Sequence, residues 1–323
     1  MLGSMPQRLV AAELDLWIAA RHVDIVMPRP VRQDTPTTSG VLMFRSTTGV
    51  AHARSLLFVP AHRPELFEKA YRSGADAIVM DLEDGVAENL KDSAREHVRE
   101  WIANDETAVV RINGPDTRWF EEDLRMVQKH QAAVMIPKPQ SASEVLAISK
   151  ELPDGSCIIP LLETAAGILA AAEICRVQGV ARAAFGNGDM ALDLGADGTS
   201  WPALLHARST IVTASAAAGI AGPLDGATTS LTDQEILRED SVHARALGFT
   251  GRICVHPSQV RLVNDAFTPT DAEAAHARAI LDKADGGSVT ALDGKLIGKP
   301  MVERARQTLR NWERHRSKQT QDT

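Results

Sequence analysis

The chain has 323 residues, 44% of them hydrophobic, with 35 basic against 42 acidic residues and a net charge of −7. That is enough apolar material for one large domain or two ordinary ones. The acidic balance, with no basic stripe interleaved with aromatics, argues against a nucleic-acid partner, and no apolar run reaches the roughly 18 residues a bilayer-spanning helix needs.

Residues 1–53 mix Pro28, Pro30, a TPTTSG run and charges of both signs, and lack the basic start, apolar middle and small-residue cleavage site of a secretory leader. They read as an appended arm, partly disordered, with a short helix around Leu9 to Ala20. The three cysteines, Cys157, Cys175 and Cys254, are odd in number, lie in apolar surroundings and show no CxxC spacing. They read as reduced packing residues of a cytoplasmic protein.

From Arg54 the chain acquires a period. Apolar stretches closed by polar or charged residues end near Pro60, Asp84, Asn113, Lys138, Thr164, Asp189, Asp225 and Gln259, at intervals of 24 to 36 residues. Helix-like stretches fall between them, among them Leu90 to Ala103, Ser143 to Leu152, Pro202 to Ala218 before Gly219, and Asp233 to Leu247 before Gly248. Short strands too apolar to face water, alternating with helices, mean a parallel sheet covered by helices. Eight such units predict an α/β fold of the TIM (β/α)8 type, a closed barrel over residues 54–262 with a helical and hairpin extension over residues 263–323. An open doubly wound sheet is the alternative, but VPAHRPEL after the first strand is not its glycine-rich phosphate turn.

Catalytic groups of such a barrel sit at the C-terminal ends of strands. Those ends carry Asp81, Glu83, Asp84, Arg111, Asn113, Lys138, Glu163, Asp189, Asp225, His256 and Gln259, whereas the strand starts are mostly small or apolar. Asp225 and His256 suit an ordinary loop or helix-cap role equally well. Glu163 and Asp189 lie 26 residues apart, one strand-helix unit, so they occupy the same place in neighbouring units and project from one rim. Two carboxylates beside glycines suit a hard dication such as Mg²⁺, which keeps several waters and needs one or two protein carboxylates. Without a cation, Asp81, Glu83, Asp84, Glu163 and Asp189 would repel one another. Arg54 and Lys138, near strand boundaries, read either as contacts for a phosphate or thioester or as charges in local ion pairs. His62, in the loop after the first strand, reads as a loop residue.

The ordered series RSLLFVP, DLEDGV, VRIN, IPK, LLETAAGI, FGNGDMALDLG, CVHPSQ and DGKLIGKPM resembles the citrate lyase β-subunit (CitE-like) family of the HpcH/HpaI aldolase superfamily, over residues 54 to 310. The resemblance implies a TIM barrel that uses Mg²⁺, or Mn²⁺ in its place, to cleave or form a carbon–carbon bond between an α-keto acid and an acyl-CoA, with coenzyme A as part of the substrate. It implies Glu163 and Asp189 as metal ligands, Arg111 as the arginine holding the keto-acid carboxylate, and Glu83 and Asp84 as the acidic pair holding metal-bound water. A trimer or a dimer of trimers, and citrate lyase partner subunits, are implied in the same way. The helix from Met301 to Trp312 then reads as an appendage that packs on another subunit.

One departure from the family stands out. Members usually carry, in a motif like DGxMID, an aspartate that reaches a neighbouring subunit's site and handles the proton on the acyl-CoA methyl carbon. Here the stretch from Asp293 to Pro300 reads DGKLIGKP, and Gly298 stands where that aspartate would. Three readings follow: a 3-hydroxyacyl-CoA lyase yielding oxaloacetate or glyoxylate, a related metal-dependent aldolase or thioester hydrolase, and a non-catalytic keto-acid and CoA-binding subunit.

Overall fold

The computed structural model describes residues 47–103, 108–284, 290–292 and 295–319. The expected arm lies outside the described residues up to residue 46, as does Asp293. Eight parallel strands close into a barrel in chain order: β1 Ser55–Pro60, β2 Ala77–Asp81, β3 Val109–Arg111, β4 Ala133–Pro137, β5 Ile158–Leu162, β6 Ala184–Phe185, β7 Leu224–Asp225 and β8 Gly251–Cys254. Closure is made by β1 on β8, with Leu56 beside Ile253. All eight expected strands are present, but most end earlier than the apolar pattern suggested. The largest difference is at Asp189, expected to end a strand; β6 stops at Phe185 and Asp189 sits in the first turn of a helix, Asn187–Leu194.

The two-residue period of each strand divides the core in two. Leu56, Val79, Val109, Met135, Ile159 and Leu224 belong to one buried cluster that fills the barrel. Their neighbours Leu57, Ile78, Val110, Val134 and Ile158 join a second cluster with the surrounding helices. In helix Lys91–Ala103, for example, Ala94, Val98 and Ile102 recur at four-residue spacing and are buried. Burying one such side chain is worth about 2 kcal/mol. Helix starts are capped: Ser141 accepts from the Glu144 amide, and Asp233 from Glu235 and Ile236.

The N-terminal end of the barrel is closed by charge. Arg182, fully buried, donates to the carbonyls of Val50, Ala53 and Gly222 and to Thr250 Oγ1 at 2.6–3.1 Å. Val50 and Ala53, in and after helix Thr47–Ala51, are thereby held in the barrel-filling cluster, so the packed unit begins before residue 54. After β8, helix Pro257–Phe267 completes the ring of helices. Helices Asp271–Lys283 and Lys299–Gln319 follow, joined through the antiparallel pair Thr290–Leu292 and Lys295–Ile297. The last helix packs on its own chain: Ala305 and Ile297 meet Ala277 and Ile280, and Trp312 Nε1 donates to Asp271 Oδ1 at 2.8 Å. Among the described residues no helix is long and apolar enough to cross a membrane. All three cysteines are free and buried.

Arg182→Met would leave the Ala53 carbonyl without its donor and take bonds from those of Val50 and Gly222, which keep the Ala53 amide and Thr250 Oγ1. It should lower denaturation stability by roughly 3 kcal/mol, the cost of an unsatisfied group together with the lost bonds from a charged donor, measured by urea unfolding; a loss below about 1 kcal/mol would refute the plug.

Candidate functional site

The site is built from the strand ends outward. Asp81, last residue of β2 and buried, folds the next turn onto itself, accepting the amides of Glu83 and Gly85 at 2.9 Å each. A Cβ at Gly85 would overlap the Asp81 carboxylate, so only glycine permits this turn. The same carboxylate takes the fork of Arg111 at the end of β3, Nε at 2.6 Å and Nη2 at 2.7 Å, and Arg111 Nη1 lies 2.8 Å from Glu83. Phe58 of β1 lies against the guanidinium, 5.0 Å from ring centroid to Cζ. Burial pulls the Arg111 pKa down, but Asp81 and Glu83 more than offset it and hold it above the ordinary range.

Lys138, directly after β4, joins the two halves of the cluster. Its backbone is left-handed, φ 48°, an uncommon conformation for a residue with a side chain. The amide donates to Glu163 Oε1 at 3.2 Å, while Nζ donates to Glu83 at 2.9 Å and Asp84 at 2.7 Å and lies 3.8 Å from Asp189. Burial opposes its charge, yet the bonds to Asp84 and Glu83 raise its pKa overall.

Glu163, buried at the end of β5, fits only because residue 186 is glycine: a Cβ there would overlap the Glu163 carboxylate and its Cβ. Burial, then the nearby Asp189 and Glu83, raise its pKa from 4.5 to about 8 against the pull of Arg111. Five carboxylates thus meet two cations, Arg111 and Lys138, with Lys91 behind the turn, and the cluster is short of positive charge. Among the described residues no three of His, Cys, Asp or Glu are grouped so as to hold a metal unaided. The donor set fits a hard dication that keeps most of its waters and takes two carboxylates, Glu163 and Asp189.

Sequence reasoning missed Lys91, which looked like an ordinary residue opening a helix. It is buried and spends its three donors on the carbonyls of Leu82 and Glu83 and on Asn113 Oδ1, at 2.7–2.8 Å. Burial lowers its pKa, partly offset by Asp81 and Glu83. Asn113 in turn donates to Asp123, which also takes Arg95. Beside the cluster opens a cavity of about 720 Å³, walled by Asp84, Lys91, Asn113, Trp119 and Lys138.

Three residues singled out from the sequence serve the scaffold instead. Arg54 precedes β1, at the opposite end of the barrel. Its guanidinium is bound to Asp76 at 2.7 and 2.9 Å and to Thr268 Oγ1 at 2.7 Å, so it is a structural ion pair and not a substrate contact. Asp225 is fully buried in the outer layer between Arg208 and Arg252. His256 caps helix Pro257–Phe267 in a capping box with Gln259. His62 is half-buried after β1, and among the described residues its Nδ1 has no hydrogen-bond partner.

The raised Glu163 pKa has a consequence for stability. Between about pH 4.5 and 8 the folded, metal-free chain holds a proton that the unfolded chain releases, so stability falls as pH rises through that window. In chelator, Glu163→Gln should gain on the wild type in urea unfolding as pH rises from about 5 to about 8. A gap that stays constant across the window would refute the buried, charge-crowded carboxyl.

Comparison with known proteins places the chain in a family and a fold. The family profile described as HpcH/HpaI aldolase/citrate lyase matches residues 54–257, and that of the C-C bond lyase of the TIM-barrel fold matches residues 204–321. The citrate lyase subunit beta-like protein of Deinococcus radiodurans is 37% identical over 273 residues, covering 79% of this chain and 96% of the relative. A (3S)-malyl-CoA thioesterase of Cereibacter sphaeroides is 34% identical over 272 residues, covering 79% and 93%. The crystal structure of CitE from Mycobacterium tuberculosis in complex with magnesium, acetoacetate and coenzyme A superposes with a TM-score of 0.72 at 33% identity, covering 81% of this chain and 99% of that one. The family profile and the sequence relatives together show that the chain belongs to the HpcH/HpaI aldolase/citrate lyase family.

Proposed function

We propose that this chain is a divalent-metal-dependent carbon–carbon lyase, cleaving a 3-hydroxyacyl-CoA of the citryl-CoA or malyl-CoA type into an α-keto acid, oxaloacetate or glyoxylate, and a smaller acyl-CoA. The observation that carries the reading is the gathering of Glu163, Asp189, Glu83 and Asp84 around Lys138, beside Arg111, at the C-terminal mouth of the barrel. The magnesium, acetoacetate and coenzyme A of the CitE complex support it.

Magnesium, or manganese in its place, would be held by Glu163 and Asp189 and would supply a Lewis acid for the hydroxyl oxygen and carboxylate of the keto-acid half. Arg111 orients that carboxylate. Asp81 fixes its Nε edge, and Nη1 and Nη2 each retain a proton for the ligand. Glu83 and Asp84 would hold water belonging to such a dication, and Lys91 holds their turn by its backbone. Lys138, on the cavity wall, meets the thioester side of the substrate. In the cleavage the hydroxyl loses its proton, the bond to the neighbouring carbon breaks, and the acyl-CoA departs as an enolate that must take up a proton.

Gly298 favours a second reading, thioester hydrolysis. There water attacks the thioester carbonyl, the carbon–sulfur bond breaks, and no enolate needs an acid. The malyl-CoA thioesterase relative supports this alternative. Gly298 precedes helix Lys299–Gln319, and its carbonyl accepts the amides of Met301 and Val302 at 3.0 and 3.3 Å. A Cβ there would have only Pro300 Cδ near, at 3.8 Å.

Purified protein with Mg²⁺ and citryl-CoA or malyl-CoA should release keto acid, trapped as its hydrazone. Free thiol with the hydroxy acid intact would select hydrolysis instead. Glu163→Gln or Asp189→Asn should lower kcat/KM by about a hundredfold or more, the scale of losing one preorganised charge partner; activity that survives either change together with a chelator would refute the metal reading. Gly298→Asp should fold at least as stably as the wild type, because aspartate caps a helix start a few tenths of a kcal/mol better than glycine. Within a trimer or dimer of trimers it should raise keto-acid release without raising hydrolysis, and an unchanged rate would refute a role for position 298 at a neighbouring site.

A further inference from the structure

Lys138 touches every acid of the mouth that the metal reading uses: its amide holds Glu163, its ammonium bonds Glu83 and Asp84, and Asp189 lies 3.8 Å away. We infer that the Lys138 ammonium is the counter-cation of the metal-free mouth and is displaced when a divalent ion binds, so that ion uptake is an exchange of one cation for another. The inference rests on the metal reading above and deepens it.

The two cations of the mouth differ in what they can do. Arg111 is 8% exposed and tied to Asp81 by two bonds and to Glu83 by a third contact, under the Phe58 ring, and it has no route out. The Lys138 side chain is 36% exposed and lies on the wall of the 720 Å³ cavity. Its left-handed backbone keeps the amide on Glu163 while the side chain turns about its own bonds, so the ammonium can withdraw without disturbing the strand end. A dication between Glu163 and Asp189 would stand within a few ångströms of that ammonium, and like charges at such range repel. The carboxylates that Lys138 neutralises gain a stronger partner as it leaves. The exchange is therefore downhill for them, but weaker than ion uptake by a mouth that starts uncompensated.

The test uses the full chain and Mn²⁺ alone. Calorimetry on wild type, Lys138→Gln and Lys138→Arg should show the neutral variant binding Mn²⁺ about two- to fivefold more tightly, the range expected for removing a partly exposed competing charge, with the arginine variant within about twofold of wild type. In chelator Lys138→Gln should melt below wild type, and saturating Mn²⁺ should close that gap. On the unmodified protein, Mn²⁺ should speed labelling of Lys138 by an amine-reactive reagent, followed by mass spectrometry. Equal or weaker Mn²⁺ binding by Lys138→Gln, or labelling indifferent to the ion, overturns the exchange while leaving the metal site standing. Absence of Mn²⁺ binding by the wild type and both variants overturns the metal reading and the exchange together.

Discussion

Five carboxylates share the mouth of this barrel, and the fold supplies too few cations to balance them. Repulsion between unpaired charges in a partly dry site is costly, and the surrounding structure is arranged to contain it. Asp81 is neutralised outright by the Arg111 fork and turned into scaffold, accepting two amides of the turn that presents Glu83 and Asp84. Among the described residues Glu163 receives only the Lys138 amide, and burial pushes its pKa up to about 8. The unbalanced charge is thus pushed to the side of the cluster nearest solvent, where Asp189 and Asp84 remain partly exposed. A cation arriving from solvent meets it there.

The other end of the barrel solves the opposite problem. Two arginines lie there, but one is matched by Asp76 and the other by backbone carbonyls, so the end is filled and closed. A third charged cluster, Asp225 with Arg208 and Arg252, sits between sheet and helices, with Asp240 and Thr228 accepting from Arg252 Nη2. Of the three clusters only the mouth combines incomplete compensation with an adjoining cavity. That combination separates a site from structural polarity.

Much of this was legible in the sequence, for reasons of period. Fully apolar stretches at regular intervals required a covered parallel sheet, eight of them required closure, and the strand-end rule collected the acids on one rim. What escaped depended on direction and reach. Arg54 and Arg111 both border strands, yet one lies before its strand and the other at its end, so they face opposite ends of the barrel. Asp225 follows the rule for position but points into the outer layer, because side chains on a strand alternate. Asp189 was expected to close a strand because it is the first charged residue after the apolar run ending at Phe185, but Gly186 and Asn187 already turn the chain into a helix. Lys138 was read as a ligand contact or an ion-pair charge without its partners, and Lys91 was missed altogether: a left-handed backbone angle and a long side chain reaching back across nine residues leave no periodic trace.

The three bonds of Lys91 bear on how the mouth can behave. Its ammonium fastens the backbone of the acidic turn to the neighbouring strand end through Asn113, and Asn113 to the helix that carries Asp123. The turn cannot lift without breaking all of them at once, so it opens with the barrel's own cooperative unfolding and not as an independent flap. Whatever enters this mouth therefore finds its walls already set, and it rearranges charge there far more than shape.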